Sequence, residues 1–240
     1  MSLGQFFRVR NLLIAGFAIM VAACQAPPPK QLHASLDLKR NETLIAVMPL
    51  DVQLFELTTS GIREPKADWT EQAKEHVAAA LRVVQFERRL TPIYFNSDSL
   101  PIAEQQRMAQ LIKLHNLVGK EILVQKYVPQ LRPPHKEGTF DWSIGPAVKK
   151  IGEQTGADYG LFITIEDSYS SGGRQAMKFI GALFGVVVPG GAQIGFASLV
   201  DLETGQIAWF GTLARGTGDL RTEDKANDAV RLLFADLPDT

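Results

Sequence analysis

The chain of 240 residues contains a single cysteine, Cys24, and this count limits how the protein can be stabilised. Cys24 follows Ala22 and Ala23 at the end of an apolar run that begins after Arg8 and Arg10. A positive start, a short apolar stretch and a small-residue site are typical of an export signal, which is too short for a spanning helix. Without a second cysteine no intrachain disulfide can form, so the exported body must be held together by packing alone.

The position of the cysteine predicts a bacterial lipoprotein signal that is cleaved between Ala23 and Cys24. A thiol becomes nucleophilic near neutral pH, so it can take up a diacylglyceryl group through a thioether bond. Two or more chains give stable anchoring, because each buried methylene contributes about 0.8 kcal/mol. Gln25 stands where an aspartate would favour the inner membrane, so we expect lipid anchoring at the periplasmic face of the outer membrane. The alternatives are an ordinary secretory signal with a chance cysteine and a buried free thiol.

Three segments are predicted along the chain: a signal peptide over residues 1–23, a lipidated flexible tether over 24–42, and one domain over 43–240. Pro27, Pro28 and Pro29 give the tether a stiff polyproline stretch. A hydrophobic content of 45% and a charged content of 21% are ordinary for a globular domain. A formal net charge of −1 gives no support to nucleic-acid binding.

Short β-branched runs alternate with segments of helical period in the first half, and a strand meander comes late. Strands are predicted over residues 43–50, 92–95, 157–167, 192–202 and 207–215, with a loop over 51–68. Helices are predicted over 69–89, from 98 or 99 to a stop at Gly119, over 140–156, and from Thr222 or Glu223 onwards. Asp68 is the predicted N-cap of the first helix. This order predicts an α/β fold: a single domain with a mixed β-sheet of about five strands and helices packed on it.

Two segments carry a family resemblance. Residues 156–162 read GADYGLF, and residues 199–209 read LVDLETGQIAW, in which Gly205 serves a tight turn. Together with the early strand IAVMPL at 45–50, they resemble periplasmic lipoproteins with a curli-pore-like (CsgG-type) fold and the N-terminal domain of TolB, over roughly residues 43–235. The resemblance implies a mixed-sheet body, a periplasmic location, a role in envelope assembly or secretion, and no enzyme activity.

The region between the last two long strands departs from the pore-forming members, which insert long alternating hairpins. Here an apolar run of about twelve residues is interrupted by Gly181, Gly185 and Pro189. It is too short to span a bilayer as a helix. Interpretations left open are a buried helix, a membrane contact, and a protein partner or self-association site. The candidate contact residues are Met177, Phe179, Ile180, Leu183, Phe184 and Val187.

No catalytic or metal site is predicted, and no cofactor. The four histidines, expected at the surface or half-buried, have no metal-ligand spacing, and Cys24 is committed to lipid. Glu166 and Asp167 are adjacent on a strand and therefore point to opposite faces, so we interpret them as solvated strand-end charges rather than an acid–base pair. Trp142 and Trp209 are expected to be core or rim aromatics.

These observations predict a non-enzymatic accessory or assembly factor of an envelope export or surface-polymer system. Its partners would be the membrane, through the N-terminal lipid, and a protein of the envelope or a second copy of itself. A sheet edge or the 177–188 segment would make the contact. The alternatives are a self-assembling ring like the secretion pores and an envelope hydrolase with an unrecognised site.

Overall fold

The fold is seen in a computed structural model, which describes residues 36, 38–39, 42–136, 139–173, 175, 191–216 and 218–238. These residues belong to one compact unit, Gln31–Thr240. No described helix is long and apolar enough to cross a membrane.

A mixed sheet of seven strands lies at the centre of this unit. The strands are β1 Leu44–Val47, β2 Asp51–Leu57, β3 Arg63–Pro65, β4 Thr91–Tyr94, β5 Tyr159–Ser170, β6 Gln193–Asp201 and β7 Ile207–Arg215. One side of the long strand β5 pairs with antiparallel β6, which pairs in turn with β7. The other side of β5 pairs in parallel with β1 along its first part and with β2 along the rest. Strands β4 and β3 lie outside β1 and β2 respectively.

The α-helices pack on the two faces of this sheet. They are α1 Ala67–Glu87, α2 Ile102–Tyr127, α3 Lys149–Thr155 and α4 Glu223–Leu233. Because successive strand side chains point to opposite faces, Ile45 and Val47 pack with α1 and α4, whereas Ala46 and Met48 pack with α2 and α3. The result is a three-layer α/β/α body with two apolar cores.

The predicted fold class, a single α/β body with a mixed sheet and packed helices, is confirmed. Within the described ranges the sheet has seven strands rather than about five, because β2 and β3 occupy the stretch that was predicted to be a loop. The strand predicted over 43–50 ends at Val47, and after a break of three residues Asp51 begins β2. In β2, Val52 and Leu54 are buried while Gln53 is exposed, which is the period of a strand with one face in the core.

Several helix boundaries differ from prediction. Helix α2 begins at Ile102, after a 3-10 turn over Ser97–Ser99, rather than at residue 98 or 99. Helix α1 begins after Lys66 without a side-chain cap, so the capping role predicted for Asp68 is wrong. Helix α2 runs through Gly119 instead of stopping there. Helix α3 starts at Lys149 rather than near Phe140, and Gly156 ends it as predicted, in the left-handed conformation. The hairpin of β6 and β7 turns at Gly205 with φ of +79°, also as predicted.

Candidate interaction surface

Helix α2 is apolar on two opposite sides. Its inner side is buried against the sheet and includes Met108, Leu111, His115, Gly119 and Ile122. Its outer side faces away from the sheet and carries a second apolar row that begins at Leu114. We call this row the outer α2 stripe, and it comprises Leu114, Leu117, Val124, Tyr127 and Val128, which are 41%, 68%, 39%, 55% and 40% exposed. Leu114, Leu117, Val124 and Tyr127 are spaced by three, seven and three residues, which keeps them on one side of the helix, and Val128 follows directly after its last residue.

The inner side of α2 lies unusually close to the sheet. A Cβ atom at Gly119 would stand 2.1 Å from Cε2 of Phe196 on β6, so only glycine permits this approach. The Phe196 ring is held in turn by stacking on Phe210, with ring centroids 5.3 Å apart. The rigid fit of the inner side fixes which residues of α2 face outwards.

His115 lies at the centre of this packing, contrary to the expectation of a surface or half-buried histidine. It is 1% exposed, stacks on Phe162 at 4.7 Å, and shares a hydrogen bond of 2.5 Å with the Ser198 hydroxyl. Burial lowers the pKa of His115 to about 3, so the ring is neutral in the folded protein at neutral pH. It belongs to the core and has no access to a ligand.

We expect this burial to make the protein sensitive to acid. The unfolded chain takes up a proton on His115 near pH 6.5, whereas the folded chain does so only near pH 3. The stability is therefore complete above pH 6.5 and is lost as the pH falls towards 3, by about 2 kcal/mol between pH 7 and pH 5. Urea unfolding at both pH values should show this loss in the wild type and not in His115→Phe. Ser198→Ala keeps the ring buried and should lower stability at both pH values without removing the slope.

Two grooves flank the outer α2 stripe. One, with a volume of 380 Å³, runs between α2 and α3 and includes Leu100, Met108, Leu114 and Ala147 in its lining. The other, of 520 Å³, lies between α2 and the break that joins β1 to β2, and Leu117 stands on its rim. Leu114 and Leu117 thus form a ridge between two open grooves, a shape that can receive the side chains of a facing helix.

The sheet edges are poor candidates for a docking strand. On one side the edge is made of two short strands, each with a proline, Pro92 in β4 and Pro65 in β3. Proline removes a backbone donor and is a common protection of edge strands. On the other side Ile207 of β7 already donates to the Trp142 carbonyl, and residues 207–211 of that strand are buried.

Asp167 is 1% exposed and is the centre of a buried polar network, so its interpretation as a solvated charge is wrong. One carboxylate oxygen accepts hydrogen bonds from the Tyr169 hydroxyl, from Gln193 Nε2 at 2.6 Å and from the Leu220 amide at 3.3 Å. Burial raises the pKa of Asp167, and the bonds from Tyr169 and Gln193 oppose this rise. The network ties the loop before α4 to the ends of β5 and β6.

Glu166 points the other way, as its place on the strand requires, and it is paired rather than free. Its two oxygens accept hydrogen bonds from Lys120 on α2 at 2.8 Å and from Arg63 on β3 at 2.9 Å. Partial burial acts to raise the pKa of Glu166, but these two bonds outweigh it and hold the pKa below its ordinary value. The adjacent carboxylates Glu166 and Asp167 therefore have separate structural roles.

A third groove, of 470 Å³, is polar, but two of its carboxylates accept hydrogen bonds from backbone amides. It lies at the ends of α3 and the β6–β7 hairpin, and its lining includes Glu153, Asp158 and Asp201. Asp158 accepts a hydrogen bond from the Leu44 amide, and Asp201 accepts two from the amides of the hairpin turn. In the part of the chain that the structure describes, no three histidine, cysteine or acidic residues are placed to hold a metal ion.

The site residues predicted from sequence all fall outside the described residues. Ala23 and Cys24 do, and so do the candidate contacts in the 177–188 segment: Met177, Phe179, Ile180, Leu183, Phe184 and Val187. Their roles stay predictions. Trp209 is 1% exposed in the core that faces α1 and α4, and Trp142 packs partly buried against the core that faces α2 and α3, as expected.

Sequence reasoning missed the outer α2 stripe. Ile102 and Leu114 belong to the apolar pattern that predicts this helix, but Ile102 is 74% exposed and Leu114 lies on the outer side. The signal was present, because Leu117 and Val124 are apolar and lie seven residues apart. The expected stop at Gly119 separated them into two elements.

No protein-family model matches the chain, and no curated protein does. A variant of the PelC dodecamer from Paraburkholderia phytofirmans is 13% identical, with 86% of this chain and 96% of that chain covered and a TM-score of 0.39. Lipoprotein GNA1162 from Neisseria meningitidis is 14% identical, with 72% and 79% covered and a TM-score of 0.27. The LpoB C-terminal domain from Salmonella enterica is 16% identical, with 75% and 86% covered and a TM-score of 0.30. At these TM-scores, function has to be argued from the residues of this chain.

Proposed function

We propose that this chain is a lipid-anchored protein of the bacterial outer membrane that faces the periplasm and acts by binding, as a non-enzymatic accessory or assembly factor of an envelope export or surface-polymer system. Lipidation at Cys24 fixes its position, and the outer α2 stripe contacts the partner. The resemblance to curli-pore and TolB proteins belongs to the same proposal.

The observation that carries the proposal is the exposed apolar row on a helix whose other side is locked to the core. Leu117 is 68% exposed and Tyr127 is 55% exposed, so the fold leaves most of the apolar surface of these two large side chains unburied. Contiguous exposed apolar surface marks an interaction site, and aromatic and aliphatic anchors dominate binding at such sites. The two flanking grooves give this surface depressions that can receive the side chains of a helical partner.

The charged groups support binding rather than catalysis. Buried Asp167 is engaged with neutral donors, and Glu166 is engaged by two cations. The acidic groove beside α3 uses Asp158 and Asp201 to fix backbone amides. General acid–base chemistry needs a titratable group within hydrogen-bond reach of the substrate, whereas these carboxylates are engaged by groups of the protein itself.

The proposal predicts that Leu117→Glu abolishes partner contact without unfolding the protein. A buried carboxylate at the centre of an apolar contact should reduce the yield of crosslinked partner about ten-fold or more. Ile62→Glu is the matched control, because Ile62 is exposed to a similar degree, 63%, on the turn between β2 and β3. Crosslinking in intact cells, followed by mass spectrometry, compares the two variants with the wild type.

Thermal melting distinguishes loss of contact from loss of fold. Both variants should melt within a few degrees of the wild type, since neither residue is buried. Equal loss of crosslinks in Leu117→Glu and Ile62→Glu, or none in either, would remove the stripe from the proposal.

A Cys24→Ser form should lose incorporation of labelled palmitate and leave the membrane fraction. If it stays membrane-bound and the wild type takes up no label, the anchoring is wrong.

A further inference from the structure

The amino-terminal part of the chain enters the body at the end of the sheet where α1 stops. Strands β1 and β4 run parallel and start side by side, with Leu44 paired to Thr91, and α1 ends just before β4 begins. Before β1, Leu36 and Leu38 are partly buried against the core that faces α1 and α4. The stretch that leads back to Cys24 therefore leaves the body on the α1/α4 side of the sheet.

The last two turns of α1 present an apolar surface with basic neighbours. Phe86 is 82% exposed, and Val83, three residues before it and on the same side of the helix, is 42% exposed. Arg82 and Arg89 stand on either side of Phe86 in the chain and are both exposed. Within the described residues, no salt bridge involves either arginine. We call these four residues the α1 end patch.

Along α1, no unpaired carboxylate lies near this patch. Residues 82–90 include three arginines and one acid, Glu87, which is engaged by two nitrogens of Arg231 on α4 at 2.7 and 2.8 Å. The nearest acid before Phe86 is Glu75, eleven residues or about 16 Å away, which is beyond the Debye length of about 8 Å. The carboxylates of the third groove lie at the same end of the sheet, but beside α3 on its other face.

The backbone holds Arg89 in a conformation that is unfavourable for arginine. Helix α1 ends in a Schellman motif, in which the Arg89 amide donates to the Phe86 carbonyl at 3.1 Å and the Leu90 amide donates to the Gln85 carbonyl at 3.0 Å. Arg89 has a φ of +55°, in the left-handed region that favours glycine. Gly156 occupies the equivalent position after α3. A positive charge therefore stands where the fold alone favours glycine, which points to a role for the side chain.

We propose that the α1 end patch contacts the anionic phospholipid surface of the membrane that holds the lipid anchor. Its two apolar side chains would lie in the headgroup region, and its two arginines would bind lipid phosphates. The inference rests on the proposed function, because lipidation of Cys24 brings the bilayer to this side of the body. Twelve residues separate Cys24 from Leu36 and reach at most about 40 Å, so the body can both touch the bilayer and leave it.

The membrane fits this patch better than a protein partner does. The chain itself keeps the bilayer at high local concentration beside the α1/α4 side, so a small apolar surface and two charges suffice for contact. The outer α2 stripe lies on the opposite side of the sheet. A body that docks through the α1 end patch therefore keeps the stripe turned away from the bilayer and open to the partner.

The single cysteine allows a site-specific test. Cys24 is blocked as a thioether in the lipidated chain, so an introduced cysteine is the only free thiol. The lipidated Val83→Cys and Ile62→Cys proteins are labelled with a fluorophore and reconstituted into vesicles of phosphatidylethanolamine and phosphatidylglycerol with nitroxide-labelled phospholipid. The probe at residue 83 should be quenched. The probe at residue 62 should not, because the turn between β2 and β3 lies at the other end of the sheet.

Substitutions in the labelled Val83→Cys chain identify the groups that make the contact. Phe86→Glu should abolish the quenching and should melt within a few degrees of the wild type, since Phe86 is exposed. Arg82→Gln should lower the equilibrium constant for docking about five-fold, as expected for one basic residue near an anionic surface. Arg89→Gly should weaken docking to a similar degree and should melt no lower than the wild type, because glycine suits this backbone conformation.

Equal quenching at residues 83 and 62 overturns the inference. Quenching that persists in Phe86→Glu, or that is as strong in vesicles of phosphatidylcholine alone, also overturns it. If the lipidated protein stays on the vesicles without quenching at residue 83, the proposed function stands and the contact is excluded. If Phe86→Glu then loses crosslinked partner in cells, the patch binds a protein instead. A chain that takes up no palmitate and leaves the vesicles removes the proposed anchoring and this inference with it.

Discussion

Replacing Gly119 with alanine should lower the free energy of unfolding by about 3 kcal/mol, although alanine is the better helix former. The added Cβ would lie 2.1 Å from Cε2 and 2.4 Å from Cζ of Phe196. That ring is 2% exposed and is held by Phe210 and His115, so it has no room to withdraw. For a domain of this size the melting temperature should fall by about 6–12 °C. Urea unfolding gives the free energy directly.

The control for Gly119→Ala is the background in which the clash is removed. In Phe196→Leu, which replaces the flat ring with a smaller side chain that can rotate, the added alanine should be neutral or stabilising by up to about 1 kcal/mol. A change of sign between the two backgrounds identifies the contact with Phe196. The same loss in both backgrounds would instead indicate a backbone conformation that only glycine adopts, as expected for a helix stop.

Gly119 shows where reasoning from the sequence reached its limit. Glycine in a helical pattern signals either an end or a close approach, and the two differ only in what lies across from it. Phe196 is far away in the chain, so local pattern could not choose. Gly156 and Gly205 were predicted correctly because a helix end and a tight turn need a positive φ, which is a local requirement.

The strands show the same difference between features set by local sequence and features set by distant contacts. The hairpin of β6 and β7 was predicted closely, because β7 has the predicted bounds Ile207–Arg215 and the turn residues are local. Strand β2 was missed because its pairing with β5 is non-local. In addition, Pro49 lies two residues before its start, and proline is rare inside a central strand. The outer α2 stripe became visible only when the helix was seen to be continuous and the sheet showed which of its two apolar sides is buried.

Asp167→Ala should lower the free energy of unfolding by about 3–5 kcal/mol, which is more than the loss expected for Gly119→Ala. The alanine would leave the partly buried Tyr169 hydroxyl and the fully buried Gln193 amide without their shared acceptor. The Leu220 amide would lose one of its two acceptors, since it also donates to the Tyr169 oxygen at 2.8 Å. Because Asp167 joins β5, β6 and the loop before α4, we expect faster hydrogen exchange at 191–193 and 218–222.

Glu166→Ala is the matched control for Asp167→Ala, one residue away on the same strand. The Glu166 side chain is 25% exposed and its partners Lys120 and Arg63 reach solvent, so its removal should cost less than about 1 kcal/mol. Asp167→Asn keeps one acceptor oxygen and should lie between the two alanine variants. Equally small effects of the two alanine variants would mean that both carboxylates are solvated strand-end charges, as the sequence alone had indicated. A large difference places the buried network at Asp167 among the interactions that hold the two sides of the β5–β6 connection together.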